Sequence, residues 1–74
     1  MEIELKCFAT LRQYCPGDGR FEIAENTSVQ EALETIGVPL KEVKLIFVNG
    51  VREEPTAILE PGDRLGIFPP VGGG

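Results

Sequence analysis

The ten residues Ser28–Gly37, SVQEALETIG, restrict the fold more than any other stretch of the chain. Ser28 followed three residues later by Glu31 is the capping-box arrangement for a helix start. Val29, Ala32, Leu33 and Ile36 fall at i, i+3, i+4 and i+7, one apolar stripe along one side. Gly37 suits the left-handed position that ends a helix, and Pro39 prevents continuation. One short amphipathic helix cannot bury its stripe alone, so the rest of the chain must supply a sheet for it to lie on.

That sheet is legible on both sides of the helix. EIELKCF, residues 2–8, alternates strictly: Ile3, Leu5 and Cys7 point one way, and Glu2, Glu4, Lys6 and Phe8 point the other. ATLRQYCPGDGR reads as a short irregular or helical turn that ends in the Pro16-Gly17-Asp18-Gly19 breaker. RFEIA then resumes alternation with Phe21 and Ile23, closing a first hairpin over residues 4–8 and 20–24 with a long loop. After the helix, Leu45, Phe47 and Val51 alternate around Asn49-Gly50, a strong hairpin signal. A short segment to Leu59, a Pro61-Gly62-Asp63 turn and a last strand with Leu65 and Ile67 inward complete the order β-β-α-β-β.

Composition narrows the function. With 74 residues the chain is one domain, too small to enclose a substrate cavity of its own. The net charge of −5 argues against a nucleic-acid partner and points instead to proteins with a positive docking surface. The chain has no histidine and two cysteines, so no metal-ligand cluster is expected. The acidic, alternating start is unlike a signal peptide, and no apolar run reaches transmembrane length, so no membrane is expected as partner. The expectation is a cytoplasmic protein with free thiols, Cys7 a small core residue and Cys15 on a loop, with a Cys7–Cys15 disulfide as the alternative. The carboxylates are scattered rather than paired for acid–base work, and PGDG lacks the lysine and serine of a phosphate loop.

The element order, KLIFVNG before a Pro-Gly-Asp turn, and the diglycine end resemble the β-grasp (ubiquitin-like) fold. This is an α+β architecture with a mixed four- to five-stranded sheet packed on one main helix. FATLRQY after the first strand and GDRLGIFPPVGGG at the end are similar to the ubiquitin-like sulfur-carrier family (MoaD/ThiS-like), nearest to its molybdopterin synthase small subunits. The resemblance implies a β-grasp domain over residues 1–68 and a flexible tail over 69–74. It implies a carrier rather than an enzyme, with the Gly74 carboxylate adenylated and then converted to a thiocarboxylate. Its sulfur would serve molybdopterin (molybdenum or tungsten cofactor) biosynthesis. Thiazole synthesis for thiamine, or ubiquitin-like conjugation to lysines, are the alternatives. The implied partners are a ubiquitin-activating-type adenylyltransferase, which uses ATP and Mg, and the molybdopterin synthase large subunit, or a thiazole synthase. No cofactor bound to the chain itself is implied.

The residue chemistry of the tail suits that role. Residues 69–74 span about 20 Å when extended, enough to carry a carboxylate into a partner's nucleotide site. Pro69 and Pro70 stiffen the root and lower the ordering entropy of docking. Val71 leads into Gly72, Gly73 and Gly74, which lack Cβ atoms and can thread a narrow channel. Phe8 and Phe68 both fall on the outward register of their strands. In a β-grasp sheet the first and last strands are parallel neighbours, so the two rings would meet beside the tail's root as a partner-binding patch. The other reading is that ATLRQYC folds over Phe8 and makes it core. Val51 and Arg52 are candidates for the rim.

Overall fold

The computed structural model describes residues 1–15 and 17–70. Five strands and one helix follow in chain order: β1 (Glu2–Cys7), β2 (Arg20–Glu22), α1 (Val29–Ile36), β3 (Leu45–Val48), β4 (Val51–Arg52) and β5 (Arg64–Phe68). Short 3-10 turns occupy Ala9–Tyr14 and Leu40–Glu42. The strands form one mixed sheet in the order β2-β1-β5-β3-β4. β1 and β5 are parallel neighbours, with Leu5 opposite Leu65 and Cys7 opposite Ile67; the other pairs are antiparallel. This is the β-grasp arrangement.

The helix starts where the capping box places it. Ser28 Oγ accepts from the Glu31 N–H at 3.2 Å, and Glu31 Oε1 accepts from the Ser28 N–H at 2.9 Å. The first N–H groups of a helix lack internal partners. Here Val29 N donates to Ala57 O at 2.8 Å and Gln30 N to Pro55 O at 2.9 Å, so residues 55–57 complete the N-terminus from outside the helix. At the other end Gly37 takes φ 98°, a conformation that suits glycine. Gly37 N then donates to Glu34 O and Val38 N to Leu33 O, a Schellman closure that carries Val38 into the core.

Val29, Ala32 and Leu33 are buried against the inward face of the sheet, where Ile3, Leu5, Leu65 and Ile67 are all at most 3% exposed. The hairpin turn forms at Asn49-Gly50, with φ 53° and 82° and Val48 opposite Val51. Its register fixes which residues of β3 face the helix. The core residue of β3 is Ile46, and Phe47 lies on the opposite face, in register with Gly66 of β5 and Arg52 of β4. All four residues of β3 are apolar, so alternation could not assign its inner face. The pairing with β5 does.

One correction concerns the thiols. Cys7 and Cys15 are joined in a disulfide with their Cα atoms 6.0 Å apart, and neither is free. The Ala9–Tyr14 turn doubles the chain back, with Leu11 fully buried, and returns Cys15 to the end of β1. Gly19 closes the same loop at φ 73° and lies so close to β1 that a Cβ on it would be 3.2 Å from Leu5 O.

Candidate functional site

The helix covers one face of the sheet and leaves the other open. Alternation places Glu4, Lys6 and Phe8 of the β1 end, and Arg64, Gly66 and Phe68 of β5, on this open face. The Phe8 and Phe68 rings stack with centroids 4.1 Å apart and planes within 6°. Phe47 meets the Phe68 ring edge-on, centroids 5.6 Å apart at 80°. These offset and edge-to-face arrangements are the ones favoured by aromatic quadrupoles. Lys6 Nζ sits 5.6 Å from the Phe8 centroid, within cation–π range. Gly66 leaves a notch in the middle of the cluster, and a Cβ there would reach 3.7 Å from the Phe8 ring, ordinary contact.

All three rings are half-buried, so the Ala9–Tyr14 turn does not bury Phe8 as core. It instead forms one wall of a groove of about 810 Å³ that the rings and the two cysteines line. Several contacts hold the wall. Phe8 N donates to Ile67 O at 3.1 Å, and Leu11 N donates back to Phe8 O at 3.0 Å. Tyr14 Oη donates to the Glu42 carboxylate at 3.2 and 3.3 Å, tying the turn to the Leu40–Glu42 segment. Burial, and then the Glu42 charge, push the Tyr14 pKa above its ordinary value, so the hydroxyl stays a donor at neutral pH. Ala9 takes φ 52°, the left-handed region that an alanine seldom occupies.

The far end of the open face is held by Asn49 and Asp63. Asn49 Nδ2 donates to Asp63 Oδ1 at 2.9 Å, and Asn49 Oδ1 accepts from the Arg64 N–H at 3.0 Å. Asp63 Oδ2 also accepts from the Glu60 N–H at 2.8 Å, closing the Pro61-Gly62-Asp63 turn. Val51 is 60% exposed and Arg52 is exposed beside Phe47, at the β4 edge.

The charge of this face differs from that of the molecule. Lys6, Arg12, Arg20, Arg52 and Arg64 point to the open side, facing four carboxylates, Glu2, Glu4, Asp18 and Glu22. Of seven cations and twelve carboxylates in the chain, two and eight remain for everything else. The five and four make +1 and the remainder makes −6, so the acidic surplus of the chain lies outside this set. The acidic surplus from which a positive partner surface was expected thus lies away from the aromatic rings, where the two signs nearly balance.

The root of the tail begins beside these rings. Phe68 O accepts from Lys44 N at 2.7 Å, the last ladder bond of β5; Pro69 is buried and Pro70 exposed. Val71, Gly72, Gly73 and Gly74 lie outside the described residues. Phe8 and Phe68 thus meet where their register placed them, Val51 and Arg52 lie at the rim, and Phe47 and Lys6 join them without having been singled out by sequence. Among the described residues no group of three or more His, Cys, Asp or Glu side chains is placed to hold a metal ion, and no helix is long and apolar enough to cross a membrane.

The family model described as Mut7-C ubiquitin matches residues 1–72. No curated protein sequence matches the chain. Among solved structures, SAMP1 from Haloferax volcanii is similar over 100% of both chains at 24% identity, with a TM-score of 0.75. The putative molybdopterin converting factor, subunit 1, from Pyrococcus furiosus is similar over 96% of this chain and 99% of its own, at 29% identity and a TM-score of 0.74.

Proposed function

The chain belongs to the Mut7-C ubiquitin family, and from that membership and the face just described we infer that it is a sulfur carrier activated at Gly74. The observation that carries this reading is the placement of the Phe8–Phe68–Phe47 cluster at the root of a Pro-Pro-Val-Gly-Gly-Gly terminus. A half-exposed aromatic cluster on a small domain marks an interface, and this one adjoins Pro69 and Pro70, where that terminus begins.

The reacting group is the α-carboxylate of Gly74, ionised at neutral pH and a poor acyl donor until activated. In the proposed cycle its oxygen attacks the α-phosphate of ATP in a ubiquitin-activating-type partner, and pyrophosphate leaves. Sulfide then displaces AMP from the acyl carbon directly, or a persulfide displaces it and a second thiol cleaves the resulting acyl disulfide, forming its own disulfide with the donor. Either route gives a terminal thiocarboxylate. The chain contributes position: Phe8, Phe68, Val51 and Arg52 seat the body, Pro69 and Pro70 direct the end, and the glycines admit it. General acids, bases, ATP and Mg belong to the partner.

Molybdopterin synthesis is the sulfur acceptor pathway we favour, because the Pyrococcus furiosus structure with that description is similar over nearly the whole chain. Thiazole synthesis uses the same activated terminus and is the second pathway. Conjugation to lysines is the other class, and the fold shared with a small archaeal modifier protein keeps it in view. Intact-mass spectrometry of the protein from its native host separates them. An oxygen-to-sulfur increment at the C-terminus supports the carrier, and adducts on lysines of other proteins support the modifier. Deleting Gly73-Gly74 is expected to abolish sulfur transfer while leaving the melting temperature unchanged. A matching loss of thermal stability would contradict the division between body and tail.

A further inference from the structure

The two cysteines take no part in chemistry at Gly74, yet both line the groove beside the aromatic cluster. Cys7 ends β1 and is buried, whereas Cys15 follows the Ala9–Tyr14 turn and is half-exposed. Their bond joins the core to the groove wall and encloses Phe8, Ala9, Leu11 and Arg12. Leu11 and the Tyr14–Glu42 pair hold the turn independently of it. Ala9, in its left-handed conformation, pulls the other way, because relaxing it means moving the chain next to Phe8.

We propose that the Cys7–Cys15 disulfide is a thiol-exchange site for dithiols or protein thiols, and that its state fixes or frees the Phe8–Arg12 wall of the groove. A thiolate entering from solvent reaches Cys15, the more exposed of the two residues, through a groove where Lys6, Arg12 and Arg64 outnumber Glu4 and Asp18, a small bias toward the anion. The incoming sulfur bonds to Cys15 and the Cys7–Cys15 bond breaks. Its electron pair leaves on Cys7, which takes a proton from solvent. The second thiol of the reductant, as thiolate, attacks the reductant sulfur of the mixed disulfide. Cys15 departs as a thiolate and the reductant leaves as its own disulfide. A neutral thiol suits the buried Cys7 site, but a departing thiolate there does not. Exchange is therefore slow in both directions, and each state persists.

In the reduced state Leu11 and Tyr14 keep the turn on the body, so the sheet and helix survive. Ala9 can relax, and Phe8 is no longer pinned from both ends against Phe68. Only this last step, the effect on docking, rests on reading the aromatic face as the partner surface.

The full-length chain tests the proposal without a partner. Under native conditions, alkylation followed by intact-mass measurement should add no label before dithiothreitol and one label, on Cys15, after it. Hydrogen exchange at Leu11 and Cys15 should then rise on the order of tenfold, with β5 and α1 amides unchanged. Glutathione should give a mixed disulfide on Cys15. Cys15→Ser, which leaves Cys7 as a buried thiol, should reproduce the reduced exchange pattern. Labelling before reduction, labelling only in denaturant, or a glutathione adduct on Cys7 would overturn the exchange site. Unchanged exchange in the turn, or an equal rise in β5, would overturn the latch. None of these readouts involves Gly74, so they stand or fall separately from the sulfur-carrier reading.

Discussion

Strands β1 and β5 show two faces to their surroundings, and the same backbone supports both. On the covered face Ile3, Leu5, Leu65 and Ile67 pack under α1 with almost no exposure. On the open face, one residue out of step, stand Glu4, Lys6, Phe8, Arg64, Gly66 and Phe68. The first set is aliphatic and interchangeable in character: any well-packed branched residues would fill the space beneath a helix. The second set is mixed, aromatic and cationic, and it stays half in water. The fold needs the first face and does not need the aromatics of the second, which is why the second is the better guide to function.

Substitutions test that division. Ile67→Ala, on the covered face, should lower unfolding free energy by about 3–4 kcal/mol in a denaturant titration, since its side chain is fully buried. For Phe68→Ala, its neighbour on the open face, the main loss should be in partner binding, roughly 1–2 kcal/mol by calorimetry. If Phe68→Ala instead cost as much stability as Ile67→Ala with affinity unchanged, the two faces would not differ in the way described. Ser28→Ala probes how the helix is seated on the covered face. Loss of the capping hydroxyl should cost about 1 kcal/mol and leave binding untouched.

The smallest effect is electrostatic. Hydrogen bonds from the Ser28 backbone and side chain lower the Glu31 pKa from its ordinary value. A depressed carboxylate pKa stabilises the fold above the ordinary value, and that contribution fades as pH falls through the lowered one. Glu31 is solvent-exposed, so a shallow loss of stability over that acidic range is expected, and Glu31→Gln should remove the slope.

Much of this was legible in the chain before any coordinates. The helix ends are local chemistry, with Ser28, Glu31 and Gly37 each carrying its own signal. Strict alternation marked both faces of β1 and β5, and with them the meeting of Phe8 and Phe68. Leu45–Val48 was opaque, because four apolar residues carry no period, so the faces of Ile46 and Phe47 were not legible. The disulfide stood only as the alternative to free thiols, for a different reason. Nothing in Ala9–Tyr14 announces a 3-10 turn tight enough to bring Cys15 back to Cys7. The charge partition was also hidden, because net charge is a sum and sidedness needs the third dimension.

The position of β5 has one more consequence. It is the middle strand of five, and its last carbonyl still pairs with Lys44 before Pro69 and Pro70, neither of which has an N–H to extend the ladder. A terminus that departs from the centre of a sheet has a shoulder on either hand, the β1 end with Phe8 and the β3 start with Leu45. If the chain is the sulfur carrier proposed above, whatever grips its end must straddle both shoulders, so address and cargo would be read in one act. Grafted onto another scaffold, the last six residues would then keep their chemistry and lose their destination.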